Sequence, residues 1–392
     1  MRLLHTSDWH LGRSFHGVGL LGAQAAVLDH LVGVVRSEAV DAVLVSGDVY
    51  DRALPSPDTV ALLSETLERL VDTGTAVVVS SGNHDSATRL GFASGLLERA
   101  GVHVRTAVHD VGRPVLLGDA AVYPLPYLEP ALVADPLGAT GRTHADVLRA
   151  AMDRVRADAA GRGVARTVVM AHAFVGGGFP SESERDIAVG GVALAPPEIF
   201  DGVDYAALGH LHGRQRVADR VRYSGSPVAM SFGEWQHRKG ALVVDLAGAE
   251  PAVTEVDAPV ERPLAVLRGD LEDLLADPRH TEAEGAWCQV TLTDPVRPLG
   301  AMERVRRRFP HTLELRFDPQ GAAVALRSYA PVTERADVDV CCDFLGHVRG
   351  GRAASEQERA LLQEAVEAAR VGRAVAEDEG VARAASRSSG AA

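Results

Sequence analysis

The sequence lacks an excess of positive charge. Its 40 lysines and arginines are outnumbered by 53 aspartates and glutamates, which gives a formal net charge of −13. A protein that holds nucleic acid by its own surface usually carries a basic footprint. The balance therefore argues against such a surface, unless bound metal ions or a partner protein supply the positive charge. Composition alone leaves both interpretations open.

Cysteines and long apolar runs are also scarce. The three cysteines, Cys288, Cys341 and Cys342, form neither a disulfide framework nor the spacing of a zinc site. We expect the adjacent pair to be small apolar residues rather than redox groups. No run approaches ~18 apolar residues, and the N-terminal MRLLHTSDWH has no signal-peptide core or cleavage site. We therefore expect a cytoplasmic protein that does not associate with membranes.

The 392 residues exceed the roughly 250–300 that a single core supports, which predicts more than one domain. Up to residue 258, short β-branched runs alternate with amphipathic stretches, as in an α/β fold. Its predicted strands are 41–46, 76–81, 166–171, 205–208 and 240–245, and its predicted helices are 22–39 and 57–71.

Two further parts follow this first domain. Residues 259–345 begin with a strand–helix–strand–helix–strand pattern that predicts a small α+β module. The last part, 346–392, contains a predicted helix over 355–377, which begins at a capping box formed by Ser355 and Glu358. The Ala/Gly/Ser-rich residues 378–392 predict a disordered tail.

Metal-ligand side chains follow the strands of the first domain. In chain order the clusters are Asp8 with His10, Asp48 with Asp51 in GDVYD, Asn83 with His84 in GNHD, His172, and His210 with His212 in GHLH. Ligands collect at the carboxyl ends of strands in α/β sheets, so we expect these clusters to meet. The period of two along a strand would place Asp8 and His10 on one side, with Trp9 facing away. Glycines before Asp48, Asn83 and His210 suit backbone that must turn sharply beside ions.

Each cluster alone has a simpler explanation. A lone histidine such as His172 is more often a core or surface residue than a ligand, and the Gly82–Asn83 pair suits an ordinary turn. Five clusters in this order, each at a strand end, argue against coincidence. Oxygen and imidazole donors without thiolate favour Mn²⁺, Fe²⁺ or Zn²⁺ over Mg²⁺. Seven candidate ligands exceed the needs of one ion, which predicts two ions bridged by a carboxylate such as Asp48.

The ordered motifs resemble the calcineurin-like metallophosphoesterase superfamily. Further matches are TSDWHLGR at 6–13, SSGNHDS at 80–86, GHLH at 209–212 and YSGSP at 223–227. These are similar to the SbcD family, bacterial nucleases that partner the coiled-coil ATPase SbcC. The resemblance is specific over 1–245 and looser beyond. It implies an α/β fold built as a metallophosphoesterase β-sandwich flanked by helices, with a small α+β capping domain and a C-terminal helix, instead of a simple doubly wound sheet.

The resemblance also implies roles for individual residues. By motif, one ion would be held by Asp8, His10, Asp48 and His212, and the other by Asp48, Asn83, His172 and His210. The usual family metal is Mn²⁺. His84 would donate a proton to the leaving oxygen, and the Asp51 carboxylate would orient it, although Asp51 could also be a plain turn residue. Arg13 and His16 are weaker candidates for contacts with phosphate or DNA.

The implied activity is that of a DNA nuclease in repair and recombination, a 3′–5′ exonuclease on duplex ends and an endonuclease on single strands or hairpins. Two alternatives stay open: hydrolysis of small phosphodiesters or phosphoproteins, and a non-catalytic scaffold that binds DNA ends. The expected partners are DNA, an SbcC-type ATPase that docks on the helix after Ser355, and a second copy of the chain. On the early helix, Leu28, Leu31 and Val35 are either part of such a dimer interface or residues of the core. Four arginines in 301–309 are either a solvated face or phosphate contacts.

Overall fold

The computed structural model of the protein describes residues 1–184, 194–319, 336–349 and 352–369. The chain divides into two compact units. The first unit comprises Met1–Val266 with Gly285–Trp287, and the second comprises Leu267–Glu284 with Cys288–Ala392. The predicted domain boundaries at 258 and 345 stay predictions.

The strands of the described residues are β1 Arg2–Thr6, β2 Ser14–Phe15, β3 Val18–Gly19, β4 Ala42–Ser46, β5 Ala76–Ser80, β6 Val102–Arg105, β7 Val115–Leu117, β8 Ala120–Pro124, β9 Arg166–His172, β10 Tyr205–Gly209, β11 Gln215–Arg216, β12 Val221–Tyr223, β13 Gly240–Asp245, β14 Ala252–Asp257, β15 Leu264–Gly269, β16 Trp287–Leu292 and β17 Thr312–Phe317. The α-helices are α1 Leu21–Ser37, α2 Pro57–Val71, α3 Ala87–Leu90, α4 Ser94–Leu97, α5 Pro130–Leu137, α6 His144–Arg162, α7 Leu271–Ala276, α8 Ala301–Arg308, α9 Asp337–Val348 and α10 356–369. Every predicted strand and helix of the first unit is present, within two residues of its predicted ends.

Two six-stranded sheets form the centre of the first unit. Their strand orders are β14-β13-β1-β4-β5-β6 and β11-β12-β10-β9-β8-β7. Strands β1, β4, β5 and β6 run parallel, and so do β8, β9, β10 and β12. In both sheets the remaining strands pair antiparallel at the margins. The carboxyl ends of the parallel strands within each sheet therefore lie at a common edge.

Alternation along the strands explains the layers. Leu3 and Leu44 face the core between the sheets, where Met170 and Ala207 of the second sheet meet them. The next residue along the strand, such as Leu4 after Leu3, faces α1 and α2 instead. Helices α5 and α6 cover the outer face of the second sheet in the same way. Each sheet is thus apolar on both faces, and the predicted sandwich flanked by helices is confirmed.

The early helix α1 lies against this core. Its apolar stripe includes Leu28, Leu31 and Val35, all of which are buried in the layer between helix and sheet. These side chains are therefore core residues, and they are not available for an interface with a second copy. Helix α2 begins at Ser56, whose hydroxyl accepts from Thr59 N, with Pro57 at the first helical position.

The second unit contains a three-stranded sheet in the order β15-β16-β17, with β16 and β17 parallel. Helices α7 and α8 lie between its strands in sequence, as predicted. Cys288 is buried, while Cys341 and Cys342 are half-buried, and none of the three forms a disulfide. At α10, Glu358 N donates to Ser355 Oγ (3.3 Å) and Ser355 N donates to the Glu358 carboxylate (2.9 Å), which confirms the capping box.

The rest of the predicted final helix and the tail, 370–392, fall outside the described residues. Among the residues that are described, no helix combines the length and apolar character needed to cross a membrane.

One histidine connects the two sheets inside the core between them. His5 lies on β1 and is fully buried. Its Nε2–H donates to the carbonyl of Leu208 (3.1 Å), because a carbonyl can only accept, and its Nδ1 then accepts from the Tyr205 hydroxyl (3.0 Å). Burial lowers the pKa of His5 to about 3, although the bond to Leu208 acts in the opposite direction. The imidazole is therefore neutral in the folded protein.

We expect this neutral imidazole to make the free energy of unfolding depend on pH between about 3 and 6.5, its folded and ordinary pKa values. In that window the unfolded chain binds a proton that the folded chain excludes, so stability is lost as the pH falls. One such proton contributes about 1.4 kcal/mol per pH unit. Urea titrations from about pH 5 to 7 should give a steeper dependence for wild type than for His5→Gln. Equal slopes for the two proteins would contradict this account.

Candidate metal centre

The five predicted clusters follow strands whose carboxyl ends converge. Asp8 and His10 follow β1, Asp48 follows β4 and Asn83 follows β5, while His172 ends β9 and the two histidines of GHLH follow β10. Three overlapping groups have potential ligand atoms within 4.8 Å of one another, and all of their residues are buried. The groups are Asp8–His10–His212, His10–Asp48–His84 and Asp8–Asp48–His172. The convergence of the clusters is confirmed.

Left-handed backbone turns bring these side chains together. Of seven non-glycine residues with positive φ in the described ranges, four are predicted ligands: Asp8 (53°), His10 (43°), Asp48 (49°) and His210 (104°). Such conformations persist where the surroundings over-determine them, and they cluster at functional sites. Asp8 N donates to Gly47 O (3.0 Å) and His10 N to Asp48 O (2.9 Å), so the loops after β1 and β4 lie side by side.

The strand argument for Asp8 and His10 was wrong in its mechanism. Strand β1 ends at Thr6, so the two side chains do not alternate along an extended strand. The hydrogen bonds to the loop after β4 hold them in a tight turn instead. The two histidines of GHLH also lie beyond their strand, because Gly209 is the last residue of β10 and His210 already has a positive φ.

Two glycines before ligands are required by close approach. A Cβ on Gly209 would lie 1.9 Å from the carbonyl oxygen of Ser46 and 3.0 Å from His172 Nδ1. A Cβ on Gly82 would lie 2.2 Å from Asp48 Oδ1. The 1.9 and 2.2 Å distances are shorter than real Cβ contacts, so a larger residue would displace the Ser46 backbone in one case and the ligand Asp48 in the other. The expectation that glycines serve the backbone beside the site is confirmed at these positions.

The imidazoles are arranged as a bound cation would require. His10 Nε2 faces His212 Nε2 at 3.2 Å, and His10 Nδ1 has no hydrogen-bond partner among the described residues. His172 Nδ1–H donates to Ser46 O (3.0 Å), which leaves Nε2 directed at Asn83 Oδ1 (2.9 Å) and Asp48 Oδ2 (3.4 Å). A positive charge, carried by protons on these nitrogens or by a metal ion, stabilises imidazole nitrogens and ligand oxygens held at these distances. The residues present fit divalent metal ions.

The electrostatics point the same way. Burial by itself would lower the pKa of His172, but the carboxylates of Asp48 and Asp8 raise it to about 9. Burial raises the pKa of Asp8 to about 6. At Asp48 burial acts in the same direction, yet His172 and His10 outweigh it and hold the pKa well below the ordinary value. The two carboxylates thus favour positive charge on the groups next to them, as the carboxylates of a cation site do.

The two remaining predicted ligands lie beside His172. Asn83 reaches it through the 2.9 Å contact of Oδ1 with Nε2, and the His210 ring has its centroid 5.3 Å from the His172 ring. The His210 amide also donates to both oxygens of Asp8, at 3.0 and 3.1 Å. Burial, reinforced by His172, holds the pKa of His210 well below its ordinary value. The ring is therefore neutral and keeps a nitrogen lone pair that can bind a metal ion.

Comparison with known proteins agrees with this geometry. Residues 1–214 match the calcineurin-like phosphoesterase family. The chain belongs to that family. Residues 260–347 match an SbcD C-terminal family described as the type 5 capsule protein repressor C-terminal domain. The SbcD nuclease of the SbcCD complex from Staphylococcus saprophyticus is 29% identical over 322 residues, which cover 80% of this chain and 84% of that protein.

A solved structure, TT1561 of Thermus thermophilus, shares 12% identity with a TM-score of 0.39, and covers 65% of this chain and 98% of that one. The two family matches and the bacterial relative confirm the predicted resemblance to SbcD-type phosphoesterases. The chain is a metal-dependent phosphodiester hydrolase.

The predicted role of the Asp51 carboxylate in this phosphoesterase needs correction. His84 Nδ1 bonds to the backbone carbonyl of Asp51 (2.9 Å) and not to its side chain. The carboxylate accepts from Arg13 (3.0 Å) and lies 3.6 Å from His10 Nδ1. Burial would raise the pKa of Asp51, but His10 and Arg13 lower it to about 2. The side chain therefore serves Arg13 and His10, while the main chain orients His84.

The two weaker candidates have different surroundings. Arg13 joins Asp51 to the backbone carbonyl of Ser183 (3.3 Å), so it is at least a structural ion-pair partner. His16 is exposed, and its ring lies 5.1 Å from that of Phe232 and 4.9 Å from that of Phe15. Their predicted contacts with phosphate or DNA stay predictions.

Two residues outside the predicted set hold the loops of the phosphoesterase. The Asp85 carboxylate accepts from the amides of Gly82 (2.9 Å), Tyr50 (2.9 Å) and Val49 (3.1 Å), which fastens the loop after β5 to the loop after β4. Asp85 ends the GNHD motif, and a carboxylate at the end of a turn is the sequence feature that indicates such backbone contacts.

The other is Gln24, a buried amide on α1. Its Nε2 donates to the carbonyls of Trp9 (3.0 Å) and His10 (2.7 Å), and its Oε1 accepts from Gly12 N (3.0 Å). A polar residue on the buried side of a predicted amphipathic helix was the available signal here, because buried amides require partners.

Proposed function

We propose that this phosphoesterase is the nuclease subunit of an SbcCD-type complex and that it hydrolyses DNA phosphodiesters at the centre described above. The observation that supports this most is the buried meeting of carboxylates and imidazoles from five strand ends, in a chain similar to a bacterial SbcCD nuclease. The proposed metal ligands are Asp8, His10, Asp48, Asn83, His172, His210 and His212.

The proposed chemistry needs two divalent ions, for which we propose Mn²⁺. Bound at these residues, the ions would lower the pKa of a water nucleophile and neutralise charge on the phosphate. The Asp48 carboxylate lies within reach of both His10 and His172, at 3.5 and 3.4 Å, which suits a residue shared between two ions.

We propose that His84 protonates the leaving oxygen. Its amide donates to Asp48 Oδ1 (2.8 Å), and its Nδ1–H donates to the carbonyl of Asp51 (2.9 Å). These two bonds fix the backbone and the ring, and they leave Nε2 as the atom that can carry a transferable proton. Nε2 lies 4.0 Å from Asp48 Oδ2, so the proton would be held next to the metal ligands.

The positions of potential ligand atoms support a second role for His84. His84 forms one of the three potential ligand groups together with His10 and Asp48. It could therefore hold a metal ion instead of donating a proton. The metal content of a variant without the imidazole distinguishes the two roles.

The arginines of α8 do not offer a free cationic face. Arg306 donates to Thr312 O (2.9 Å), and Arg308 pairs with Glu284 (3.0 Å). Arg304 and Arg307 are likewise paired, with Glu272 and Glu303 respectively. This favours the solvated-face interpretation. We propose that metal ions and the partner protein provide most of the hold on DNA, in keeping with the net charge of −13.

The C-terminal helices support the proposed partner. Helices α9 and α10 line an apolar groove of about 520 Å³, which includes Val340, Leu345 and Leu362. Phe344 and Val348 also line it, and they are 67% and 65% exposed. Exposed apolar side chains grouped in this way are typical of protein–protein interfaces. We propose that an SbcC-type coiled-coil ATPase docks here. A capping role of residues 259–345 and dimerisation stay predictions, and sedimentation would measure the dimerisation.

We expect His84→Gln to reduce cleavage of end-labelled duplex and hairpin DNA in Mn²⁺ by about 10²–10⁴-fold, because the proton donor is lost. The metal content of the variant should equal that of wild type. Asp51→Asn is the matched control: it should cost much less, since the carbonyl that holds His84 remains.

Full activity of His84→Gln with its metals bound would contradict the donor role, and loss of one ion would assign His84 as a ligand. Wild-type cleavage that persists in chelator would contradict the proposed metal chemistry. Brisk hydrolysis of a small phosphodiester without any DNA cleavage, tested with and without an SbcC-type ATPase, would favour the smaller-substrate alternative.

For the docking proposal, we expect the double change Phe344→Ser and Val348→Ser to weaken binding to an SbcC-type ATPase by at least about tenfold, because exposed apolar side chains at an interface centre carry much of the affinity. Hydrolysis of a small phosphodiester by the isolated chain should be unchanged. Val260→Ser, which removes another exposed apolar side chain (65% exposed) of the first unit, is the control. Unchanged affinity of the double variant would contradict docking at α9 and α10.

A further inference from the structure

His212 is held at three points by residues that lie outside every motif. Its amide donates to Glu184 Oε1 (2.7 Å), its carbonyl accepts from Lys239 Nζ (2.9 Å), and its Nδ1 lies 2.5 Å from Ser183 Oγ. These partners come from two segments of the first unit, 181–184 and 234–239. No other predicted ligand in the described residues is held through its amide, carbonyl and ring at once by side chains from outside the motifs.

A buried ion pair stands behind the serine. Glu234 Oε1 accepts a short hydrogen bond from Ser183 Oγ, and Glu234 Oε2 accepts another from Lys239 Nζ. The glutamate side chain is fully buried, and that of the lysine is 6% exposed. The ammonium of Lys239 and the amide of Met230 (3.3 Å) can only donate to Glu234 Oε2, and the Ser231 hydroxyl donates to Oε1 (3.0 Å). These contacts are those of a carboxylate that accepts hydrogen bonds at both oxygens.

This fixes the direction of the protons along the chain of contacts. Since Glu234 can only accept, the hydroxyl hydrogen of Ser183 is directed at Glu234. Ser183 Oγ must then accept at its contact with His212, so Nδ1 of His212 carries the hydrogen. A neutral imidazole with hydrogen on Nδ1 has a bare lone pair on Nε2. That is the atom that faces His10 Nε2 at 3.2 Å.

We propose that Ser183 and Glu234 are positioning residues that lock His212 in the Nδ1–H tautomer, so that Nε2 is always free to bind metal. The inference rests on the proposed function in one respect, namely that His212 is a metal ligand. Hydrogen bonds to the second nitrogen of a ligand histidine set its tautomer and orientation and increase its basicity. Here a serine relays the effect of a carboxylate that does not touch the ring within hydrogen-bond distance, since Glu234 Oε1 lies 3.7 Å from Nδ1.

The lysine explains why the carboxylate stays charged. Lys239 Nζ has three hydrogens, and its contacts are Glu234, the carbonyl of His212 and the hydroxyl of Ser226 (2.9 Å). A buried ion pair contributes little to stability compared with apolar residues of the same volume. Its place directly behind a ligand therefore indicates a positioning role, in which Lys239 keeps Glu234 ionised and also holds the His212 backbone.

The tautomer of His212 in the metal-free, full-length protein tests the proposal directly. Nitrogen-15 spectra of the imidazoles distinguish a protonated from a bare nitrogen. We expect His212 to show hydrogen on Nδ1 and a bare Nε2 near neutral pH, with a mixture of both tautomers in Ser183→Ala, and assignment by the loss of one signal in His212→Gln. Hydrogen on Nε2 in wild type would overturn the proposal, and this result needs no variant of Ser183 to fold.

Calorimetric titration with Mn²⁺ supplies the second readout. We expect Ser183→Ala and Glu234→Gln to weaken binding of one of the two ions by about 10–100-fold and to leave the other nearly unchanged. Ser183→Thr, which keeps the hydroxyl, should restore the affinity. The matched control is Ser231→Ala, which removes a 3.0 Å bond to the same Glu234 oxygen without touching His212.

Wild-type affinity in Ser183→Ala, or an equal loss in Ser231→Ala, would overturn the positioning role. These measurements do not involve DNA. A wild-type protein that shows the Nδ1–H tautomer and binds Mn²⁺ but cleaves no DNA would contradict the proposed function alone.

Discussion

Two fully buried carboxylates, Asp8 and Asp48, determine how the rest of the centre is built. A buried carboxylate is costly unless donors or cations surround it. Asp8 accepts from the Ser7 hydroxyl (2.5 Å) and the His210 amide, and Asp48 accepts from the His84 amide (2.8 Å). The imidazoles complete the shell around them. Strand ends, left-handed turns and close-packed glycines are all means of delivering these donors to two carboxylates inside an apolar sandwich.

The sandwich is what allows two sheets to contribute to one centre. Ser46, at the end of β4, shows the coupling: its hydroxyl donates to Ala207 O (2.9 Å) on β10, and its carbonyl accepts from His172 (3.0 Å) at the end of β9. Gly209 approaches the same carbonyl so closely that a side chain is excluded. One residue of the first sheet thus sets the position of two ligand-bearing strands of the second. Substrate chemistry then depends on groups behind the ligands, such as Gln24 and Asp85, as much as on the ligands themselves.

What could be predicted from the sequence was local. Strands such as 76–81 follow from β-branched runs, and the helix 57–71 follows from an apolar stripe. The meeting of the ligand clusters follows from their positions at strand ends. Long-range contacts could not be predicted. The Asp51 carboxylate bonds to Arg13 instead of His84 because the loop geometry presents its carbonyl to the ring. Ser183, Glu234 and Lys239 are distant from His212 in sequence and form no recognisable spacing, so only the fold reveals them.

We propose that the convergent carboxylates and imidazoles bind two divalent ions. Anomalous diffraction from crystals of the full chain soaked in Mn²⁺, recorded at the manganese edge, would locate them. We expect two peaks that share Asp48, one within coordination distance of Asp8, His10 and His212, and the other within coordination distance of Asn83, His172 and His210. A single peak, or none at these residues, would contradict it.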